Sequence, residues 1–160
     1  MDKIAKLFTV RGRAGRVTYW KISLLALLIM AVGWCGGLLL AIVSGVEALS
    51  AVAIIGFLLA VPISLAIAIR RLHDRNKSAW WLLIFSVLPA GAQLAAGSLR
   101  NSPDPPLPLV SFALALAGLA TSLWALVELG FLRGTPGPNR YGEDPLETGA
   151  SESQPIAAVS

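Results

Sequence analysis

Charge is scarce in this chain: of 160 residues only 14% are Asp, Glu, Lys or Arg, against 56% that are hydrophobic. With a mean hydropathy of +0.71, the balance is too apolar for a soluble domain of this length. Cysteine and histidine occur once each. A single thiol excludes an intramolecular disulfide, and a zinc site would have to rest almost wholly on carboxylates, which is poor chemistry for zinc. Cys35, set in an apolar run, reads as a small buried hydrophobe. The thirteen basic and nine acidic residues leave a net charge of +4. They are gathered in short clusters between uncharged runs, which argues against a nucleic-acid partner.

Long apolar sequence is what the chain has in abundance. A helix needs roughly 20 apolar residues to cross a hydrocarbon core about 30 Å thick. Four segments meet that need, at about 20–44, 49–69, 79–99 and 107–132. They predict an all-α membrane protein, with four transmembrane helices in two outward hairpins. The run from Ile22 to Val46 exceeds a leader's apolar region, and no small-residue cleavage pattern follows, so it reads as a retained first span. Gly45, Val46, Glu47 and Ala48 make the first connection short, and Pro103, Pro105 and Pro106 break the second.

Orientation follows from Lys and Arg, which are retained on the cytoplasmic side. Lys3, Lys6, Arg11, Arg13, Arg16 and Lys21 precede or open span one; Arg70, Arg71, Arg75 and Lys77 lie between spans two and three; Arg133 and Arg140 follow span four. Twelve of the thirteen thus share one side, leaving Arg100 on the other. Both termini are expected on the cytoplasmic side. Tyr19, Trp20, Trp80 and Trp81 fall where spans one and three leave the basic side, as interfacial anchors do. Ile4, Leu7 and Phe8 share a helical face beside Lys3 and Lys6, predicting a short N-terminal amphipathic segment on the membrane surface. Residues 1–145 form the expected four-helix domain and 146–160 a disordered tail.

Within lipid, helices associate through close packing and a few hydrogen bonds. Gly33 and Gly37 make a GxxxG, and Ala113, Ala117 and Thr121 continue the small-residue pattern beside Gly118 and Ser122. Packing inside one bundle is the plain reading, a homo-oligomer seam the sharper one. Pro62 and Pro89 are expected to kink spans two and three. Gln93 suits an interhelical hydrogen bond. Glu128 is the one ionisable residue inside a span, where a charge costs on the order of 2.5 to 3.5 kcal/mol at mid-bilayer. Its place near the basic end favours pairing with Arg133, Arg70 or Arg71; the alternative is a coupling carboxylate of a small transporter or channel subunit.

Three polar motifs remain, all expected on the same membrane face. One is Gly12-Arg13-Ala14-Gly15-Arg16 leading to Tyr19-Trp20; another is Arg70-Arg71-Leu72-His73-Asp74 leading to Ser78, Trp80 and Trp81; the last runs Gly134-Thr135-Pro136-Gly137-Pro138-Asn139-Arg140-Tyr141-Gly142. Together they resemble the bacterial inner-membrane family known as domain of unknown function 805 (DUF805), from about Phe8 to Pro145. The chain departs from the pattern at Asn76 and Ala79, where glycine is common, and at Glu143, where proline is common. The resemblance implies location and architecture, and brings no reaction, substrate or cofactor.

Chemistry therefore carries the functional reading. Arg13, Arg16, Arg70 and Arg71 offer planar forks suited to phosphate or carboxylate, and His73 beside Asp74 offers a switchable donor. With Asn139, Arg140 and Tyr141 they make a candidate surface for anionic membrane lipids or a membrane-protein partner. Asp74 is equally suited to pairing with Arg70, Arg71 or Arg75. No nucleophile stands with His73 and Asp74, so the pair points away from catalysis.

Overall fold

A computed structural model of the chain describes residues 7–44, 47–101 and 108–147. Helix α1 spans Arg16–Ser44 and α2 spans Glu47–Asp74. A π-helical turn, Leu83–Val87, opens α3, Leu88–Arg100; α4, Pro108–Leu126, ends in a second π turn, Val127–Phe131. Four stretches, Arg16–Val43, Ala51–Asp74, Leu83–Arg100 and Pro108–Phe131, are long and apolar enough to cross a membrane. The protein is all-α among its described residues, with four membrane helices in two hairpins.

Helix boundaries differ from hydropathy in an informative way. At about 1.5 Å per residue, the 29 residues of α1 exceed the hydrocarbon core. The helix begins at Arg16 rather than Trp20, and α2 continues to Asp74 rather than stopping near Ile69. Backbone hydrogen bonding does not require apolar side chains, so the helices project past the lipid core carrying polar residues. Residues 1–6 of the expected amphipathic segment lie outside the described residues; Leu7 and Phe8 are helical. At the other end the described residues reach 147, where Asp144 caps a last helical turn by accepting from the Leu146 N–H. The rest of that tail lies outside the described residues.

The π turn ahead of α3 has a cause. Pro89 supplies no N–H and crowds the carbonyl four residues back. The Leu88 N–H reaches instead to Leu83, five residues back, widening the turn. Pro62, by contrast, lies inside an uninterrupted α2.

Small residues set the spacing within each hairpin. A Cβ on Gly33 would lie 3.0 Å from the Gly56 Cα, so the α1 and α2 backbones touch there. Ala26, Ala60 and Ile63 complete that seam with Ile22, Ile29 and Met30 against them. In the second hairpin the seam runs through Ser111 and Gly118, both buried, while Ala113 and Ala117 are exposed. Gln93 donates across to the Ala115 carbonyl at 3.4 Å. Cys35 is exposed, correcting its expected burial: two residues beyond Gly33 it lies about 200° around the helix, away from α2. The hairpins meet mainly at the basic end, through the π turn of α4 and a cluster of Ala68, Leu72, Phe85 and Leu129. Elsewhere large apolar residues face outward, Val43 at 83% exposure and Leu109 at 75% among them. In lipid that exposure costs nothing.

Gly33→Leu should force the hairpin apart and destabilise the protein by roughly 1–3 kcal/mol or more, whereas Cys35→Leu should be nearly neutral. Reversible unfolding in mixed micelles measures both.

Candidate functional site

The C-terminal end of a helix leaves carbonyls without intrahelical donors and carries partial negative charge. At the end of α4, side chains from the other hairpin satisfy them in succession. The Arg71 Nε donates to Leu129 O at 2.8 Å, the Trp20 indole to Gly130 O at 3.1 Å and Arg16 to Phe131 O at 3.3 Å. A second Arg71 N–H donates to Leu132 O, and Arg75 to Arg133 O at 2.5 Å. The π turn makes this possible, because Leu132 N–H bonds to Val127 five residues back. Gly130 leaves room for the indole: a Cβ there would lie 2.8 Å from the Trp20 ring.

Asp74 is the hub beside this helix end. One carboxylate oxygen accepts from the Arg13 Nε at 3.1 Å, and the other from Arg71. The Asp74 carbonyl accepts both the backbone N–H of Thr135, at 2.9 Å, and its hydroxyl, at 3.1 Å. Arg13 continues into the loop after span four, donating to Gly137 O at 2.6 Å, Gly142 O at 3.3 Å and Thr135 O at 2.5 Å. The side chains of Arg13 and Arg71 are 1% and 0% exposed. Two buried guanidiniums with one carboxylate leave an excess positive charge, which the carbonyl end of α4 and the loop carbonyls offset. Gly134 is required by contact alone, since a Cβ there would sit 2.1 Å from an Asp74 oxygen.

Around the hub the three motifs interlock. Ala14 N–H donates to Arg70 O at 3.1 Å. The His73 Nδ1 lies 3.2 Å from Gly12 O, and its ring stacks on Tyr141 at 3.9 Å. Asn139 donates to His73 O at 3.0 Å and to the Thr135 hydroxyl at 2.9 Å, while its own oxygen accepts the Tyr141 N–H. Arg140 reaches Asn76 O at 3.0 Å and lies over the Tyr141 ring. The Leu146 N–H, with help from that of Gly137 and against the effect of burial, holds the Asp144 carboxyl below its ordinary range. That shift anchors the loop above the usual carboxylate range and releases it only as the pH falls below.

Glu128 is buried and ion-paired, with partners other than those expected. Arg75 approaches at 3.0 Å and Lys77 at 2.7 Å. Arg71 is occupied by Asp74 and the helix end, and Arg133 uses its carbonyl rather than its side chain to bind Arg75. Between the two partners, Asn76 has φ 56, the left-handed conformation that glycine adopts freely and asparagine better than most. This reversal turns Arg75 and Lys77 back together onto Glu128. Of the expected anchors, Trp80 is exposed; Tyr19 and Trp81 pack against the inter-hairpin cluster, and Trp20 is tied to α4.

The structure thus gathers Arg13, Arg71, His73, Asp74, Asn139, Arg140 and Tyr141 into one cluster, with Arg16 at the helix end and Arg70 at its edge. Arg13, Arg71 and Asp74 are enclosed and committed to one another. Arg11, Arg16, Lys21, Arg133 and Arg140 remain exposed at the same end. Thr135, Arg75 and Lys77 carry more of the architecture than their positions in sequence indicated. The glycine preference at position 76 was the available signal for Arg75 and Lys77. Among the described residues no three His, Cys, Asp or Glu side chains converge on a common point.

Such a polar clamp joining two membrane hairpins defines a small polytopic α-helical membrane protein. The chain belongs to the DUF805 family: the family model described as "Protein of unknown function (DUF805)" matches residues 7–143. It is similar to the Escherichia coli "Inner membrane protein YhaH" of strains K12 and O157:H7, each 29% identical over 145 residues, with 84% of this chain and 85% of the relative covered. No solved structure matches.

Removing Asp74 should strand two buried guanidiniums, so Asp74→Ala is expected to cost about 3–5 kcal/mol, read by unfolding in micelles. Asn76→Gly should hold or raise stability, whereas Asn76→Val should lose roughly 1–2 kcal/mol in the same assay.

Proposed function

We propose that this protein is a non-enzymatic module of the bacterial inner membrane, with its basic end and both termini in the cytoplasm, that binds anionic lipid headgroups. The observation that carries the reading is the division of labour among the basic residues. Arg13 and Arg71 close a rigid clamp, while Arg11, Arg16, Lys21, Arg133 and Arg140 stay exposed around it. Each exposed cation near an anionic surface contributes about 1 kcal/mol of attraction, and the clamp holds several at one level without further ordering cost. The inner-membrane name of the relatives supports the location, and the Lys and Arg asymmetry supports the orientation. Glu128, enclosed by Arg75 and Lys77, fits a structural ion pair better than a carboxylate that must load and release protons.

Two measurements test this. In a Cys35→Ala background, single cysteines at Ser78 and Gly137 should both react only from the cytoplasmic side; labelling from opposite faces overturns the orientation. In nanodiscs of equal phosphatidylcholine and phosphatidylglycerol, native mass spectrometry should find phosphatidylglycerol retained in preference. Equal retention overturns the lipid reading, and a protein co-isolating in place of lipid turns it toward a membrane-protein partner.

A further inference from the structure

Lipid attraction to scattered cations needs no defined site, but the join between the hairpins contains one. Where α1 passes the π turn of α4, a groove of about 470 Å³ runs between Arg16, Trp20, Lys21 and Leu24 on one side and Gly130 and Phe131 on the other. Val17, Trp20, Lys21 and Leu24 recur at helical spacing, so they form one stripe of α1 facing the groove. Among the described residues no carboxylate lines it.

Its chemistry changes along its length. Arg16 and, five residues deeper along α1, Lys21 bracket Trp20. Arg16 uses one N–H on Phe131 O, at 3.3 Å, and keeps the rest of its fork. Lys21 is exposed and has no partner among the described residues. The groove's hydrocarbon comes from Leu24, one turn deeper on α1, and from Phe131 of the α4 end, 57% and 58% exposed. Trp20 is held rigid between the two cations by its bond to Gly130 O and an edge contact with Phe131 at 5.8 Å. A fixed indole flanked by two cations, with apolar side chains beside and below it, matches a phosphodiester joined to an acyl chain, at the depth where phospholipids carry that junction. Ordinary solutes offer no such pairing of charge and hydrocarbon.

We propose that this groove is a binding site for one anionic phospholipid, with Arg16 and Lys21 on its phosphate and Leu24, Trp20 and Phe131 along its acyl chain. The occupied groove places a lipid where the hairpins join, so the lipid becomes part of their interface.

Resting on the lipid-binding reading above, the site is tested so that its failure and that reading's failure differ. Wild type, Lys21→Gln, Arg16→Gln, Leu24→Trp and Arg100→Gln are compared in the same mixed phosphatidylcholine and phosphatidylglycerol nanodiscs by native mass spectrometry. Lys21→Gln removes a side chain with no hydrogen bond or ion pair among the described residues, and Leu24→Trp fills the groove without changing charge. Loss of the first bound phosphatidylglycerol by roughly fivefold for each cation removed, and its loss in Leu24→Trp, with Arg100→Gln at the opposite end unchanged, is the expected result. If wild type shows the preference but Lys21→Gln and Leu24→Trp keep it, lipid binding stands and the groove is overturned. If wild type shows no preference, both fall.

Discussion

A guanidinium with no exposed surface must have its charge and its N–H groups answered from within the protein. Arg71 is in that position, and nearly everything at the basic end is arranged around it. Its carboxylate comes from one turn further along α2, at Asp74, which also takes Arg13 from the segment before α1. Its remaining donors go to the frayed carbonyls of α4 and to Ala14. One side chain therefore ties together the entry to the first span, the exit of the second and the exit of the fourth. None of these connections survives alone, since withdrawing any one leaves a buried polar group without its partner.

That arrangement suits a protein whose spans contribute little cohesion of their own. In lipid the hydrophobic effect does not draw helices together, so each hairpin relies on close backbone approach at Gly33 and Gly56 or at Gly118. Between the hairpins such seams are replaced by polar bonds at one end. A second ionic cluster, Glu128 with Arg75 and Lys77, secures the same end from the third span's side. Concentrating cohesion there leaves the outer helix faces free for lipid. It also leaves a groove at the joint, flanked by Arg16 and Lys21.

The architecture was readable because a bilayer imposes severe rules on sequence. Backbone groups must bond within a helix, and the apolar run must match the core. The four spans and the family are borne out. The helix ends were less readable, since hydropathy reports lipid contact and not hydrogen bonding; hence the extra turns at Arg16 and at Asp74. The face that Cys35 occupies, and the choice of Gly118 over Ala117 for the second seam, depend on which side of each helix meets its neighbour.

The sequence by itself determined that four helices cross a membrane and that three polar motifs lie between or beyond them. It could do so because those features follow from local composition and the solvent. Only the tertiary structure decided which cations are enclosed and which face outward. Arg13 and Arg16 look alike three residues apart, yet one is buried against Asp74 and the other caps Phe131 from the surface. Pairing partners for Glu128 were likewise set by the left-handed turn at Asn76. The roles of these charges depend on distances between segments more than fifty residues apart, which no local pattern encodes.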